Sequence, residues 1–234
     1  SHYIPALSLG FEVPPHTGNP GGVTNTGLCY DANVDGSGNA GFWFGDFTNG
    51  NLVPLYTDGS SAGSSLAVPF WANSLQGIAL DTTRNVLWVT GAGIGVAKRY
   101  NKTGASAGSD ISLGIGGANH CAYDANADKL WVVNGIDQIH VRSYSLASGT
   151  FGNLVDNWTF TGATALDGIT WDSTDDTLWI TDDLTGGSAP AKVWHRDTAG
   201  NDAGGAFTCL TNVEGASVVG SLFSVIVLQF ILSA

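Results

Sequence analysis

The sequence predicts an all-β protein folded as a β-propeller, in which similar four-stranded sheets surround a central axis. The main observation is an internal repeat: residues 77–90, 120–133 and 168–181 align without gaps. Each copy has an apolar stretch, an Asp and, seven residues after it, a Trp followed by Val or Ile. Successive copies lie 43 and 48 residues apart. Four strands per 40–50 residues are typical of a propeller blade, and we find no 3.6-residue periodicity that would favour a helical solenoid.

Each copy is predicted to begin with a hairpin, because short β-branched and aromatic runs are bounded by turn residues. The Asp that ends the first strand can accept hydrogen bonds from backbone N–H groups of the turn. Its fourfold repetition favours a structural role over an active site. The repeated carboxylates are Asp31, Asp81, Asp124 and Asp172. The Leu-Trp strand that follows is too apolar for a surface, so we expect it to pack between neighbouring sheets.

Two looser copies extend the repeat at its ends. The earlier one contains residues 27–31, and the later one begins at Gly215 and lacks both the Asp and the Trp. We therefore predict a single domain with five blades, and the alternative is a six-bladed ring completed by another segment or chain. The predicted parts of the domain, residues 1–234, are an N-terminal strand that closes the last blade (1–21), four blades (22–214) and an apolar, incomplete last blade (215–234).

The charge balance limits the partners. Twenty acidic against eight basic residues give a net charge of −12. Binding to a phosphate backbone or to an anionic membrane surface needs basic residues, so we expect neither nucleic acid nor a membrane as partner. No signal peptide is recognised in this chain. The cysteines Cys29, Cys121 and Cys209 lack metal-ligand spacing, and we interpret them as buried apolar residues, with a disulfide as the alternative.

The C-terminal residues are unusually apolar. No charged side chain occurs in 216–234, and 222–232 is almost continuously apolar. Buried strands, contact with a partner subunit, and a membrane-associated or abnormal end are the three interpretations. A bare apolar strand invites pairing with another chain. We therefore expect a protein partner or a homo-oligomer formed through this strand.

The pattern GIAxDxxxxxLWVT resembles the blades of the NHL, YVTN and SMP-30 (gluconolactonase)-like propellers. The resemblance extends over about residues 22–227. It implies the propeller fold but little about function, because such propellers include hydrolases, lyases, binding modules and virion parts.

A first candidate site lies at the start of each blade's innermost strand, which lines the central channel in propellers. The leading residues are all polar and are Thr26, Gln76, Asn119, Asp167 and Glu214. Their oxygens could hold Ca²⁺ or another divalent cation, or could simply face water. The resemblance to gluconolactonase-like hydrolases implies Glu214, Asn119 and Asp167 as metal ligands. Two departures weaken it: the Glu-Gly pair stands in the last copy, and we expect five blades where that family has six.

Two further candidates concern catalysis and ligand binding. His120 follows Asn119 and could act as a base near the channel mouth. No GxSxG nucleophile motif is present. Trp71, Trp158 and Trp194 are the tryptophans that we expect at the surface, where aromatic rings could stack on sugar rings.

These observations lead to three function hypotheses. The first is a non-catalytic recognition or assembly module on an extracellular or virion surface, such as a phage tail or capsid appendage. The second is a gluconolactonase-like, metal-dependent hydrolase. The third is a lectin-like propeller that binds a glycan.

Overall fold

The computed structural model describes residues 25–134, 140–160, 163, 166–182 and 192–208. Within these residues the chain forms four antiparallel sheets of four consecutive strands. Blade 1 consists of β1 (Asn25–Asp31), β2 (Gly41–Asp46), β3 (Asn51–Tyr56) and β4 (Leu66–Ala67). Blade 2 consists of β5 (Leu75–Asp81), β6 (Val86–Gly91), β7 (Ile94–Asn101) and β8 (Ile111–Ser112). Blade 3 consists of β9 (Ala118–Asp124), β10 (Lys129–Asn134), β11 (His140–Ser145) and β12 (Leu154–Thr159). Blade 4 consists of β13 (Leu166–Asp172), β14 (Thr177–Asp182), β15 (Lys192–Asp197) and β16 (Phe207–Thr208).

The first strands of successive blades lie side by side, β1 next to β5, β5 next to β9, and β9 next to β13. This arrangement confirms the predicted all-β propeller. The described residues form four blades rather than five. The segments assigned to the fifth blade, 1–21 and 215–234, lie outside the described residues.

Helical structure is nearly absent from the part of the chain that the structure describes. It is limited there to one 3₁₀ turn at Pro69–Trp71. In the same residues, no helix has the length and apolar character that crossing a membrane requires.

The second strand of each blade is sandwiched between neighbouring sheets, as its composition predicts. The strands β2, β6 and β14 are buried at every residue. A strand covered on both faces consists of a continuous apolar run rather than an alternating one. The Leu-Trp strands therefore form the cores between blades, and Trp88, Trp131 and Trp179 are all buried.

In blades 1 to 3, the repeated Asp links its turn to a tryptophan on the next strand. In blade 3, Asp124 Oδ1 accepts hydrogen bonds from the backbone N–H groups of Asn126 (3.0 Å) and Ala127 (2.9 Å). Its Oδ2 accepts a third from Trp131 Nε1, at 3.2 Å. The corresponding pairs in blades 1 and 2 are Asp31 with Trp43 and Asp81 with Trp88. The predicted structural role of these carboxylates is confirmed.

Blade 4 uses its tryptophan differently. The Trp179 ring stacks on the His195 ring, with centroids 4.0 Å apart and planes 7° apart. His195 Nδ1 donates to the carbonyl of Gly204 at 2.7 Å. The hydroxyl of Thr177 lies 2.6 Å from the other ring nitrogen, Nε2. Blade 4 nevertheless has the same hydrogen-bonded turn, because Asp172 Oδ1 accepts a hydrogen bond from the backbone N–H of Thr174 at 2.9 Å.

Polar contacts join the blades next to these turns. Between blades 2 and 3, the Arg84 guanidinium donates to both oxygens of Asp128, at 2.8 and 2.7 Å. It also donates to the carbonyl of Leu146 at 3.0 Å. The hydrogen bonds from Arg84 lower the pKa of Asp128. At the other two described interfaces the contacts are Lys102 Nζ with Asp31 Oδ2 (2.6 Å) and Asn126 Nδ2 with Asp176 Oδ1 (3.3 Å).

Cys29 and Cys121 are buried free thiols. Burial raises the pKa of Cys121 to about 12. For these two residues the interpretation as buried apolar residues is confirmed, and the structure has no disulfide between them. Cys209 lies outside the described residues.

Candidate functional site

The predicted site residues fall into two separate regions. Gln76, Asn119 and His120 lie at the starts of inner strands, close to the axis. Trp158 and Trp194 lie on outer strands of blades 3 and 4. Glu214 lies outside the described residues, and of Thr26 the structure describes only the backbone.

The inner strands share a backbone irregularity at the predicted leading residue or directly after it. The pairing of β5 with β6 passes from Leu75 directly to Gly77, so Gln76 is a bulged residue. Asn119 is bulged in the same way in blade 3. Similar register shifts occur at the starts of β1 and β13. Bulges are frequent at the rims of barrels and next to active sites. The sequence showed the polar residues but not the bulge.

The glycine that follows the leading residue permits neighbouring inner strands to approach. A Cβ atom at Gly77 would lie 2.7 Å from the Cα of His120 and 2.9 Å from the N of Cys121. At Gly27 it would lie 2.4 Å from the carbonyl oxygen of Gln76. Contacts this short are not seen for real Cβ atoms, so the close approach of the strands requires glycine.

His120 takes the glycine position in blade 3 and reaches towards blade 4. Its Nδ1 lies 3.2 Å from the carbonyl oxygen of Ile169. Because a carbonyl can only accept, Nδ1 carries the proton in this contact. The side chain is 1% exposed, and burial lowers its pKa to about 4. The His120 ring is therefore neutral and enclosed between two blades, and its role as a base stays a prediction.

The remaining leading residues present amide and carboxylate groups. Gln76, Asn119 and Asp167 are all half-buried. Gln76 Oε1 is buried without a hydrogen-bond partner among the described residues. Asn119 Nδ2 donates to the carbonyl of Leu166 at 3.5 Å, a long contact.

These side chains supply only part of a metal site. One carboxylate and two amides fall short of the six to eight oxygens that Ca²⁺ prefers. In addition, within the described ranges no three His, Cys, Asp or Glu side chains are arranged to hold a metal ion. The described residues therefore offer one carboxylate and two amides to a ligand, and Gln76 Oε1 has no hydrogen-bond partner among them.

Trp71 is not at the surface. The 3₁₀ turn at Pro69–Trp71 directs it inward, where it is 0% exposed and donates from Nε1 to the hydroxyl of Tyr100 at 2.9 Å. The expectation that Trp71 is a surface contact is therefore wrong. The same turn exposes its neighbour, Phe70, to 52%.

Trp158 and Trp194, by contrast, are both partly exposed and belong to one aromatic cluster. The Phe160 ring lies between them, with centroids 6.0 Å from Trp158 and 5.2 Å from Trp194. Beside this cluster a cleft of about 150 Å³ opens between blades 3 and 4. Its lining residues are Trp158, Thr159, Phe160, Arg196, Gly200 and Asp202.

The cleft combines aromatic faces with one ion pair. The Arg196 guanidinium lies 4.8 Å from the centroid of Phe160 and 5.0 Å from that of Trp194, within cation–π range. Its Nη1 donates to Asp202 Oδ1 at 2.8 Å. The side chain of Arg196 is 12% exposed and that of Asp202 is 69% exposed. Asp202 is thus the group of this pair that solvent, or a ligand, reaches most easily.

Two buried donors in the same cluster are unused. The indole Nε1 atoms of Trp158 and Trp194 have no hydrogen-bond partner among the described residues. Buried polar groups are normally satisfied, so an orphaned donor beside a cleft indicates a place for water or for an acceptor on a ligand. Gly200 positions Trp158, because a Cβ atom there would lie 2.8 Å from the ring. Nothing in the sequence points to Phe160, Arg196 and Asp202 as site residues, since their proximity arises only when two blades pack together.

The outermost strand of blade 3 also differs from the others. It contains six residues, Leu154–Thr159, whereas β4, β8 and β16 contain two each. Leu154 is 52% exposed and Val155 is 48% exposed. Together with Phe70 they are the large apolar side chains exposed in the described residues. Trp158 lies on the same strand, so the apolar edge continues into the cleft.

Comparisons with known proteins agree on the fold. No protein-family model matches the chain, and no curated protein sequence matches it either. A glutaminyl cyclase of Myxococcus xanthus is similar in structure, with a TM-score of 0.58 and 15% identity over 85% of this chain and 82% of the other. A chain of a nidogen/laminin complex has a TM-score of 0.54 and 15% sequence identity. The match covers 74% of this chain and 64% of the other, so this chain spans less than two thirds of that one. A hydrazine synthase of Kuenenia stuttgartiensis has a TM-score of 0.54 and 13% sequence identity, and the match covers 88% of this chain and 53% of the other. At this identity the similarity shows the propeller fold alone.

Proposed function

We propose that this protein is a non-catalytic recognition propeller whose ligand binds at the cleft between blades 3 and 4. The observation that supports this most strongly is the orphaned indole donor of Trp158, whose ring lines the cleft together with Phe160. Aromatic side chains provide contact area at small entropic cost, and arginine provides directed hydrogen bonds.

The chemistry of the cleft favours binding over catalysis. The acid and the base that line it, Asp202 and Arg196, are paired with each other. An arginine remains protonated at all ordinary pH values, so it does not serve as a proton-transfer group. Display of such a module on an extracellular or virion surface is consistent with the composition, in which only 12% of residues are charged and the net charge is −12.

The test is a binding screen of the intact protein on an array that carries both glycans and peptides. Trp158→Ala is expected to weaken any interaction at the cleft at least tenfold. Phe70→Ala is the matched control, since Phe70 is an exposed aromatic residue of blade 2's flank, away from the cleft. Equal binding by the Trp158 variant and the wild type would contradict the proposal.

A second candidate is cation binding at the channel mouth, as the resemblance to gluconolactonase-like hydrolases implies. Its support is Gln76 Oε1, a buried acceptor without a partner in the described residues. Calorimetric titration with CaCl₂ tests it. Heat that disappears in Asp167→Asn but persists in Asp58→Asn, an exposed loop variant, is the expected result. No heat in the wild type would remove this candidate.

The fifth blade expected from the segments 1–21 and 215–234 lies outside the described residues and stays a prediction. Blade 1 carries a second apolar cluster, Leu28, Phe42, Phe44 and Leu55, that is separate from its interface with blade 2. A sheet that is apolar on both faces needs cover on both. If this prediction is correct, deletion of 215–234 will increase binding of a hydrophobic dye, and an unchanged signal would oppose it.

A further inference from the structure

Strand length distinguishes blade 3 from the other three blades. The outermost strand of a sheet presents unpaired N–H and C=O groups, which can pair with another chain. Natural proteins limit this hazard with very short edge strands. β4, β8 and β16 follow that rule with two residues each, whereas β12 has six. No described strand pairs with the outer side of β12.

The exposed side chains of β12 have the character of an interface. Leu154 and Val155 are about half exposed, and Trp158 forms one wall of the cleft. The pairing with β11 shifts between Ser143 and Tyr144, so Val155 is bulged. A bulge bends an edge strand and limits uncontrolled pairing. The regular part of the edge is therefore short, from Asp156 to Thr159, which suits a single added strand better than open-ended aggregation.

We propose that the outer edge of β12 binds an extended peptide segment of another protein by strand addition. In this mode, backbone hydrogen bonds provide affinity, and pockets for alternate side chains provide specificity. The cleft lined by Trp158, Phe160 and Arg196 lies directly beside the edge and accepts one side chain of the added strand. The inference rests on the proposed recognition function, because both use the same rim of blade 3.

The net charge of the chain favours another protein, rather than a second copy of this chain, as the partner that binds the β12 edge. Each chain carries −12, so two copies repel each other, whereas a basic segment is attracted. At the edge itself Asp156 is paired with Lys129 at 2.8 Å, so the attraction comes from the net charge of the chain and not from this side chain. The partner segment is therefore expected to be net basic, with apolar residues at alternate positions.

The experiment is selection from a random dodecapeptide library displayed on phage, followed by titration of the enriched peptides against the full chain. Enriched peptides are expected to alternate apolar and polar residues, to carry net positive charge, and to bind more weakly as salt increases. Leu154→Lys is expected to reduce their affinity at least tenfold, because a lysine on an edge opposes strand pairing. Phe70→Lys is the matched control, as both side chains are 52% exposed.

The other outcomes separate this inference from the proposed function. Equal weakening by Leu154→Lys and Phe70→Lys, or selection of peptides without alternation, would overturn strand addition. A dimer of the free chain in light scattering that Leu154→Lys abolishes would make a second copy the occupant and overturn the proposal. Glycan binding lost in Trp158→Ala but unaffected by Leu154→Lys would retain the recognition function and overturn the peptide partner.

Discussion

Replacing Asp124 by Ala tests whether the repeated carboxylates are structural. The change removes the acceptor of two turn N–H groups and of the buried Trp131 indole N–H. A buried donor left without a partner costs about 1–3 kcal/mol, and loss of a turn-capping side chain costs about 1 kcal/mol. We therefore expect a loss of about 3 kcal/mol. For a domain of this size, that corresponds to a fall in Tm of about 6–12 °C.

Asp58→Ala provides the control for this measurement. Asp58 also accepts a hydrogen bond from a backbone N–H two residues later, that of Ser60 at 2.9 Å, but it is exposed. Its replacement is expected to change stability by less than about 0.5 kcal/mol. Urea unfolding followed by far-UV circular dichroism compares the two variants. Similar losses in both would refute the argument that the buried link to Trp131 dominates.

Three further predictions concern the packing between blades. Gly77→Ala should destabilise the fold by about 1–3 kcal/mol through overpacking, whereas Gly63→Ala, where the nearest atom is 3.7 Å from the new Cβ, should be neutral in the same thermal melts. Arg84→Met should cost about 1–3 kcal/mol, because it removes the ion-pair partner of the buried Asp81 carboxylate together with the bidentate contact to Asp128. Equal stability of wild type and variant would contradict the role of these contacts. Because burial lowers the pKa of His120 to about 4, the unfolded chain binds a proton at this residue below about pH 6.5 while the folded chain does not. The free energy of unfolding should therefore fall as the pH decreases from about 6.5 to about 4. His120→Gln should remove that part of the pH dependence when urea unfolding is measured at several pH values. If the variant and the wild type show the same slope of unfolding free energy against pH, the buried, neutral ring is contradicted.

The repeat made most of the fold predictable. The spacing from Asp81 to Trp88 recurs at Asp124 and Asp172, and it encodes a tight turn between two strands of fixed register. Local turn chemistry and a continuous apolar run are properties of neighbouring residues, so a sequence contains them directly. The burial of the Leu-Trp strands followed from the same reasoning.

The site was less predictable, because it depends on contacts between blades. The proximity of Phe160 to Trp194 joins residues 34 positions apart, on two sheets. Trp71 was misplaced for a related reason: the local sequence does not show which side of a 3₁₀ turn faces the core. His120 has a polar side chain at a strand start, which favoured the mouth, but the glycine position that it occupies directs it between two blades.

The most direct test of the binding account is amide hydrogen exchange on the full chain, with and without a saturating enriched peptide. Residues Leu154–Thr159 are expected to gain protection, because strand addition pairs their free backbone groups. The two-residue edges Ile111–Ser112 and Phe207–Thr208 should not change. Protection spread evenly over all four edges, or absent from Leu154–Thr159 despite binding, would contradict blade 3 as the recognition surface.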